Sequence, residues 1–153
     1  MNILFLCTGN SCRSVMSEAV FNHLAPEGWR AISAGSQPTG QLNARAVALL
    51  QRKGISTDGY FSKSWDDLPL TPDVVITVCG SAAGETCPAY LGKVLRAHWG
   101  VDDPSHLVAS EEEIEAAFEQ TYRIIRARIE AFLAAPTLVP AELDRIGTLG
   151  AGC

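Results

Sequence analysis

The sequence predicts an α/β protein built on a parallel sheet, and three observations carry that prediction. Short apolar runs alternate with segments of helical periodicity along the 153 residues, which is the pattern of βαβ units. The run DVVITVC (Asp73–Cys79) is continuous and rich in β-branched residues, as in strands covered on both faces. The loop CTGNSCR (7–13) joins the first apolar run to the first helical segment, where open α/β sheets bind ligands.

The predicted elements follow one another along the chain. Strands are expected at Asn2–Leu6, Arg30–Ser33, Asp73–Cys79 and Val94–Trp99. Helices are expected at Ser14–Leu24, Leu42–Lys53 and Ser110–Ala135, with a short last helix near 140–147. We expect Ser14 to cap the first helix, Gly54 to end the second, and Ser110 with Glu113 to form a capping box on the third. The apolar residues expected on the inward side of the third helix are Ile114, Phe118, Ile125, Ile129 and Phe132.

Composition and charge restrict the class of protein. Apolar residues make up 47% and charged residues 19% of the chain, which is ordinary for one globular domain; we take it as residues 1–153 with a flexible tail from about 147. The net charge of −5 disfavours binding of nucleic acid. No apolar run has the length of a membrane span and no secretory signal is seen. We therefore expect a cytoplasmic protein and, from its small size and acidity, a monomer.

The number of cysteines is informative. There are five, and an odd number argues against a disulfide framework and favours cytosolic thiols with catalytic or redox roles. Cys12 is expected to be a small structural residue in a loop, and Cys153 a thiol in the tail.

The loop after the first strand has the features of an oxyanion site. Its backbone N–H groups can converge with those of the helix N-terminus on an anion, and Gly9 permits an unusual φ there. Arg13 can add a planar, bidentate donor. At the floor of the loop the helix dipole and Arg13 favour the thiolate of Cys7, to which the Ser14 hydroxyl can donate. The expected oxyanion-binding residues are Thr8, Gly9, Asn10, Ser11, Cys12 and Arg13.

Two other interpretations of this loop are a nucleotide-binding P-loop and a purely structural turn. The loop lacks the lysine and the glycine spacing of a nucleotide P-loop, which disfavours ATP as the ligand. A buried structural cysteine beside a surface arginine is the simpler alternative. The order strand, Cys7, loop, Arg13, Ser14, helix favours a nucleophile beneath a bound oxyanion.

Four motifs in order along the chain carry a resemblance to a known family. CTGNSCRS (7–14), SAG (33–35), DVVITVC (73–79) and HWGVDDP (98–104) resemble those of arsenate reductases built on the low-molecular-weight tyrosine phosphatase fold. The resemblance extends from Asn2 to about Phe132. It implies a three-layer α/β/α fold with a mainly four-stranded parallel sheet. The Cys-x5-Arg-Ser loop belongs to the whole fold, whereas the later cysteines and HWGVDDP are more specific to the reductases.

The resemblance also implies a mechanism. Cys7 would attack arsenate, and Cys79 would attack the Cys7 sulfur, releasing arsenite and leaving a disulfide. Cys87 would then attack Cys79, and thioredoxin would reduce the final Cys79–Cys87 disulfide by ordinary thiol–disulfide exchange. Asp103 would be the general acid that protonates the departing oxygen, with its neighbour Asp102 the weaker candidate. No tightly bound cofactor is implied, and phosphate or sulfate would mimic arsenate.

Other polar residues resemble those that brace the loop in this family, namely Asn10, Glu18 and Ser33. Some members of the family hold a potassium ion nearby. Where an aspartate is expected, the stretch FSKSW places Lys63 at or next to that position. Its ammonium group would replace the cation, so no metal is predicted.

Several alternatives stay open at this point. Cys79 and Cys87 can be unrelated thiols or, with His98, part of a zinc site, although the spacing is not that of zinc ligands. Asp102 and Asp103 can be a turn-forming acidic pair. Alternative functions are a tyrosine phosphatase using Cys7, Arg13 and Asp103, a reductase coupled to glutathione and glutaredoxin, and a thiol sensor or arsenite-binding protein without turnover.

Overall fold

A computed structural model describes residues 1–7, 9–10, 12–57, 59–66, 68, 71–78, 95–100, 109–134 and 139–147. The strands are β1 (Asn2–Leu6), β2 (Arg30–Ala34), β3 (Val74–Thr77) and β4 (Leu95–His98). The helices are α1 (Arg13–Leu24), α2 (Ala44–Arg52), α3 (Glu111–Ala134) and α4 (Pro140–Ile146). The strands form one sheet in the order β2-β1-β3-β4, and every pair is parallel. The predicted α/β fold with a four-stranded parallel sheet is thus confirmed.

The ladder of backbone hydrogen bonds continues past the last residue of three strands. The Cys7 N–H donates to the Ala34 carbonyl (3.2 Å), the Val78 N–H to the Leu6 carbonyl (3.0 Å), and the Trp99 N–H to the Thr77 carbonyl (2.7 Å). All strands run the same way, so these bonds mark one edge of the sheet, the carboxyl edge. Cys7, Val78 and Trp99 therefore begin the loops that leave the sheet at that edge.

The core surrounds the central strand. Four consecutive residues of β1, Ile3–Leu6, are buried, so both faces of the sheet are covered there, as expected of a parallel sheet. Helix α1 packs on β1 and β2, helix α4 on β4, and α3 contacts α1, α2 and α4. Aromatic rings join these layers, because Phe5 of β1 contacts both Phe21 of α1 and Trp99. Trp99 itself is in the core.

Helix α3 follows its sequence pattern closely. Its inward residues Phe118, Ile125, Ile129 and Phe132 are buried, and Ile114 is partly buried. The Ser110 hydroxyl accepts from the Glu113 N–H at 3.2 Å, which is one half of the predicted capping box. Within the described part of the chain, every helix is too short or too polar to cross a lipid bilayer.

The ends of the other elements differ from their predicted limits. Helix α1 begins at Arg13, so Ser14 lies inside the helix and the prediction that it caps the helix was wrong; Cys12 occupies the cap position. Helix α2 begins two residues late because Asn43 caps it, accepting from the Arg45 and Ala46 N–H groups. It ends as predicted, with Gly54 in a left-handed conformation (φ +74°).

Candidate active site

The site is built around the end of β1 and the start of α1. Cys7 is 7% exposed and lies directly after β1, at the carboxyl edge. Arg13, six residues on, is the first residue of α1 and is partly exposed. Cys12 makes no side-chain hydrogen bond to the first turn of α1, in contrast to Asn43 on α2. The first amides of a helix need partners from outside it, and an anion is a suitable one.

Asn10 holds the loop in shape. It is fully buried and has a left-handed backbone (φ +46°), a conformation that asparagine tolerates better than most residues. Gly9 was expected to take the unusual φ, but among the described residues of the loop it is Asn10 that does so. The Asn10 amide donates to the hydroxyls of Ser14 and Ser33, both at 2.9 Å, and its oxygen accepts from the Lys63 N–H at 2.8 Å. One side chain thus connects the loop to α1, to β2 and to the segment around Lys63.

The carbonyl of Gly9 is held from the other side. It accepts from the Thr39 N–H at 3.0 Å and from the Ser62 hydroxyl at 3.2 Å. The Ser62 oxygen in turn accepts from the Gly40 N–H at 3.2 Å. Two loops distant in sequence therefore fix the backbone of the anion loop from outside.

A buried charged pair completes this support. The Ser33 hydroxyl donates to the Glu18 carboxylate at 2.6 Å, and the Lys63 ammonium lies 3.9 Å from the same oxygen. Burial raises the pKa of Glu18, an effect that Lys63 and the Ser33 hydrogen bond oppose. Burial lowers the pKa of Lys63, and Glu18 opposes that shift. Glu18, which resembles a loop-bracing residue of the family, is thus buried and paired beside Ser33 and Lys63. Lys63 lies next to the loop-bracing residues, where the sequence interpretation put it.

Ser14 is oriented by Asn10. Both N–H bonds of the Asn10 amide are used, on Ser14 and Ser33, so Ser14 must accept in this pair. A hydroxyl has one proton to donate, and the proton of Ser14 is therefore directed to a different acceptor. The sulfur of Cys7 is the acceptor that the sequence interpretation names for it.

Several predicted site residues lie outside the described residues: Thr8, Ser11, Cys79, Cys87, Asp102 and Asp103. The residues that lead into two of those segments are described. Val78, directly before Cys79, and Gly100, three residues before Asp103, both follow strands that end at the carboxyl edge. The chain thus enters both segments from the edge at which Cys7 lies.

Sequence reasoning missed a set of contacts around this site. It did not identify Thr39 and Ser62 as partners of Gly9, the 2.6 Å contact between Thr77 Oγ1 and His98 Nδ1, or the buried Arg128. These contacts join residues 21 to 53 positions apart. A single sequence carries no local periodicity that would reveal them. Only the pairing of β3 with β4, which puts Thr77 opposite His98, would have suggested one of them.

Comparisons with known proteins agree with this geometry. The model of the low molecular weight phosphotyrosine protein phosphatase family matches residues 2–145. An arsenate reductase of Bacillus licheniformis is 43% identical over 132 residues, which cover 85% of this chain and 93% of that protein. Among solved structures, an arsenate reductase of Archaeoglobus fulgidus has a TM-score of 0.72 and 25% identity, covering 86% of this chain and 98% of that one.

A second solved structure is described as a thioredoxin-dependent arsenate reductase of Corynebacterium glutamicum. It has a TM-score of 0.56 and 26% identity to this chain, of which it covers 85%, while this chain covers 62% of it. The family match spans nearly all of the chain and includes the loop, the sheet and the helices described above. The chain belongs to the low molecular weight phosphotyrosine protein phosphatase family, and it is similar over most of its length to that family's arsenate reductases.

Proposed function

We propose that this protein reduces arsenate to arsenite. One observation carries the proposal: a buried cysteine, Cys7, at the base of a braced loop that leads to Arg13 at the start of a helix. Such a loop suits a tetrahedral oxyanion. The names of the related proteins favour arsenate over phosphate as the substrate.

The first step is nucleophilic attack on arsenic. The Cys7 thiolate, favoured by the helix N-terminus and Arg13, forms a sulfur–arsenic bond, and one arsenate oxygen leaves as water. Asp103 supplies a proton to that oxygen as general acid. Thr8, Gly9, Asn10, Ser11, Cys12 and Arg13 form the loop that binds the remaining oxygens.

The second stage moves two electrons. The Cys79 thiolate attacks the Cys7 sulfur, the sulfur–arsenic bond breaks, and its electron pair stays on arsenic, which leaves as arsenite. Cys87 then attacks Cys79, which frees Cys7 and leaves a Cys79–Cys87 disulfide. The dithiol of thioredoxin reduces that disulfide and is itself oxidised. The related Corynebacterium enzyme is described as thioredoxin-dependent, which supports this choice of donor.

The test supplies arsenate, thioredoxin, thioredoxin reductase and NADPH, and follows loss of NADPH. We expect arsenate-dependent turnover that Cys7→Ser abolishes. Cys87→Ser should release one equivalent of arsenite and then stop. Normal cycling of that variant would refute the three-cysteine order. Turnover only with glutathione and glutaredoxin would show that these, and not thioredoxin, donate the electrons. A single oxidation of the protein without turnover would indicate a thiol sensor.

One observation favours a second activity, hydrolysis of aryl phosphates. The ring of Phe61 is 59% exposed, and its neighbour Ser62 bonds the Gly9 carbonyl of the anion loop. An exposed ring beside an oxyanion site can pack against the aromatic group of a phosphate ester. We expect slow hydrolysis of p-nitrophenyl phosphate, with Phe61→Ala raising KM more than it lowers kcat. A complete lack of hydrolysis with intact arsenate reduction would exclude it.

A further inference from the structure

Arg128 is a buried cation outside the anion loop. It lies on the inward side of α3 and is 2% exposed. Its Nη1 donates to two backbone carbonyls, those of Trp99 (2.8 Å) and Gly100 (3.1 Å). Burial lowers the pKa of its guanidinium, because the charged form loses hydration at this position. An apolar side chain would fill the same space without that loss.

The two carbonyls define the path of the chain as it leaves β4. In an extended strand, the carbonyls of successive residues point to opposite sides. Here the carbonyls of Trp99 and Gly100 both point to one nitrogen, so the chain turns at this place. A Cβ added at Gly100 would be 2.4 Å from His98 Nε2, so a side chain there requires the His98 ring or the turn itself to move.

Other contacts besides those of Arg128 also hold the end of β4. The Trp99 N–H completes the ladder to Thr77, and its indole N–H donates to the Leu143 carbonyl at 2.8 Å. The Trp99 ring also packs against Phe5 and Phe132. The two bonds to the guanidinium fix the direction of the backbone after Trp99, and Asp103 is three residues beyond Gly100.

We propose that Arg128 is a positioning residue for the general acid, because it sets the direction in which the segment carrying Asp103 leaves the sheet. The inference rests on the proposed function, in which Asp103 protonates the oxygen that leaves arsenic. A displacement of about 1 Å in a catalytic group can cost about 100-fold in rate. We expect anion binding by the loop to be independent of this arginine.

The test uses single turnover, which needs no thioredoxin: reduced protein is mixed with arsenate and loss of its thiols is followed. In Arg128→Met we expect the rate to fall roughly 10- to 100-fold, while inhibition by phosphate changes less than about twofold because the anion loop is unaltered. Arg126→Met is the matched control. Arg126 is on the same helix and bonds Tyr122 and Glu130, and its loss should leave both quantities unchanged.

A double-mutant cycle with Asp103→Asn separates the possible outcomes. If Arg128 acts through Asp103, Arg128→Met should cost little more in the Asp103→Asn background. An equal loss of rate in both backgrounds would overturn the inference and leave the proposed function intact. If Asp103→Asn alone has the normal rate, the acid assigned in the proposed function is wrong and the inference is lost with it.

Gly100→Ala keeps the proposal testable if Arg128→Met does not fold. The added methyl must displace the His98 ring or the backbone, while the buried arginine keeps its charge and place. We expect the same slow turnover with unchanged phosphate inhibition, and recovery of the rate when His98→Ala is added. A folded Gly100→Ala protein with the normal single-turnover rate would overturn the inference.

Discussion

At the scale of single residues, the side chain of Asn10 joins the anion loop to three other parts of the protein. Its side chain bonds Ser14, Ser33 and Lys63, all within the protein. Its left-handed backbone is uncommon for a residue with a side chain. The side-chain hydrogen bonds and the left-handed backbone of the loop therefore both depend on Asn10. Different substitutions at this position can remove the bonds with or without straining the backbone.

Asn10→Ala should destabilise the protein by about 2–4 kcal/mol, because buried hydrogen-bonding groups lose their partner and alanine is strained at positive φ. Asn10→Gly is the matched variant, since it relieves the strain but restores no bond. Urea unfolding should place Asn10→Gly between Asn10→Ala and the wild type. Equal stability of all three would show that these bonds contribute nothing.

The buried pair of Glu18 and Lys63 predicts a second effect. Removing one partner leaves a buried charge unpaired and should cost roughly 3 kcal/mol, whereas the double variant Glu18→Gln, Lys63→Met should recover most of that loss. The pKa of Glu18 is raised in the fold, so the folded state binds its proton more tightly than the unfolded chain. Stability therefore falls as pH rises from about the ordinary pKa of 4.5 to the raised value.

Unfolding experiments across that pH range check the sign. Relative to the double variant, the wild type should lose stability with rising pH until Glu18 is ionised in the fold, and then stay level. The opposite slope would mean that Lys63 and Ser33 outweigh burial at this carboxyl group.

At the scale of elements, the starts of α1 and α2 make a useful contrast. Asn43 satisfies two amides of α2 with its own side chain, whereas Cys12 gives none to α1. Where a helix begins at an anion-binding loop, a bound anion can accept hydrogen bonds from its first amides. Helix α2, which Asn43 caps, is the structural one of the two. The stability that its cap contributes can therefore be measured separately from the site.

Asn43→Ala should lower the free energy of unfolding by about 1 kcal/mol, and Asn43→Asp should retain most of the wild-type stability, because aspartate also caps well. Chemical denaturation measures both. Neither change should alter single-turnover arsenate reduction, since the Asn43 side chain bonds the first amides of α2 and not the anion loop. Loss of rate in Asn43→Ala without loss of stability would contradict this separation.

The elements with strong local signals were the ones that the sequence predicted well. The apolar runs of β1 and β3, the end of α2 at Gly54 and the inward side of α3 all depend on neighbours along the chain. Ser14 was misplaced as a cap because a short polar residue before an apolar pattern looks the same whether or not the helix has already begun. Asn10, Ser62 and Arg128 act on partners distant in sequence, so no local pattern indicated what they hold.

At the scale of the whole molecule, the site is an edge to which the sheet, α1, and the segments around Thr39 and Ser62 all contribute. An anion that binds there binds only the folded chain, so it stabilises the whole fold. With phosphate at about 100 times its dissociation constant, the stabilisation should be about 2.7 kcal/mol. For a chain of this size each kcal/mol raises Tm by roughly 2–4 °C.

Thermal unfolding with increasing phosphate should show this rise, and Arg13→Ala should greatly reduce it. Chloride at matched ionic strength is the control for general salt effects. A rise of equal size in Arg13→Ala would place the stabilising anion elsewhere on the protein.

The internal bonding of the loop has a consequence for selectivity. Asn10, Thr39 and Ser62 hold the loop at Gly9 and Asn10 by bonds within the protein, so this part of the loop has its shape before any ligand arrives. A preformed site of that kind binds an oxyanion by its charge and its tetrahedral shape. It does not distinguish arsenic from phosphorus at the centre of the anion. Phosphate, which thiols do not reduce, would then occupy the same site as an unproductive competitor. Discrimination between arsenate and phosphate must then come after binding, at the transfer of two electrons. Arsenic accepts these electrons from thiols, and phosphorus does not.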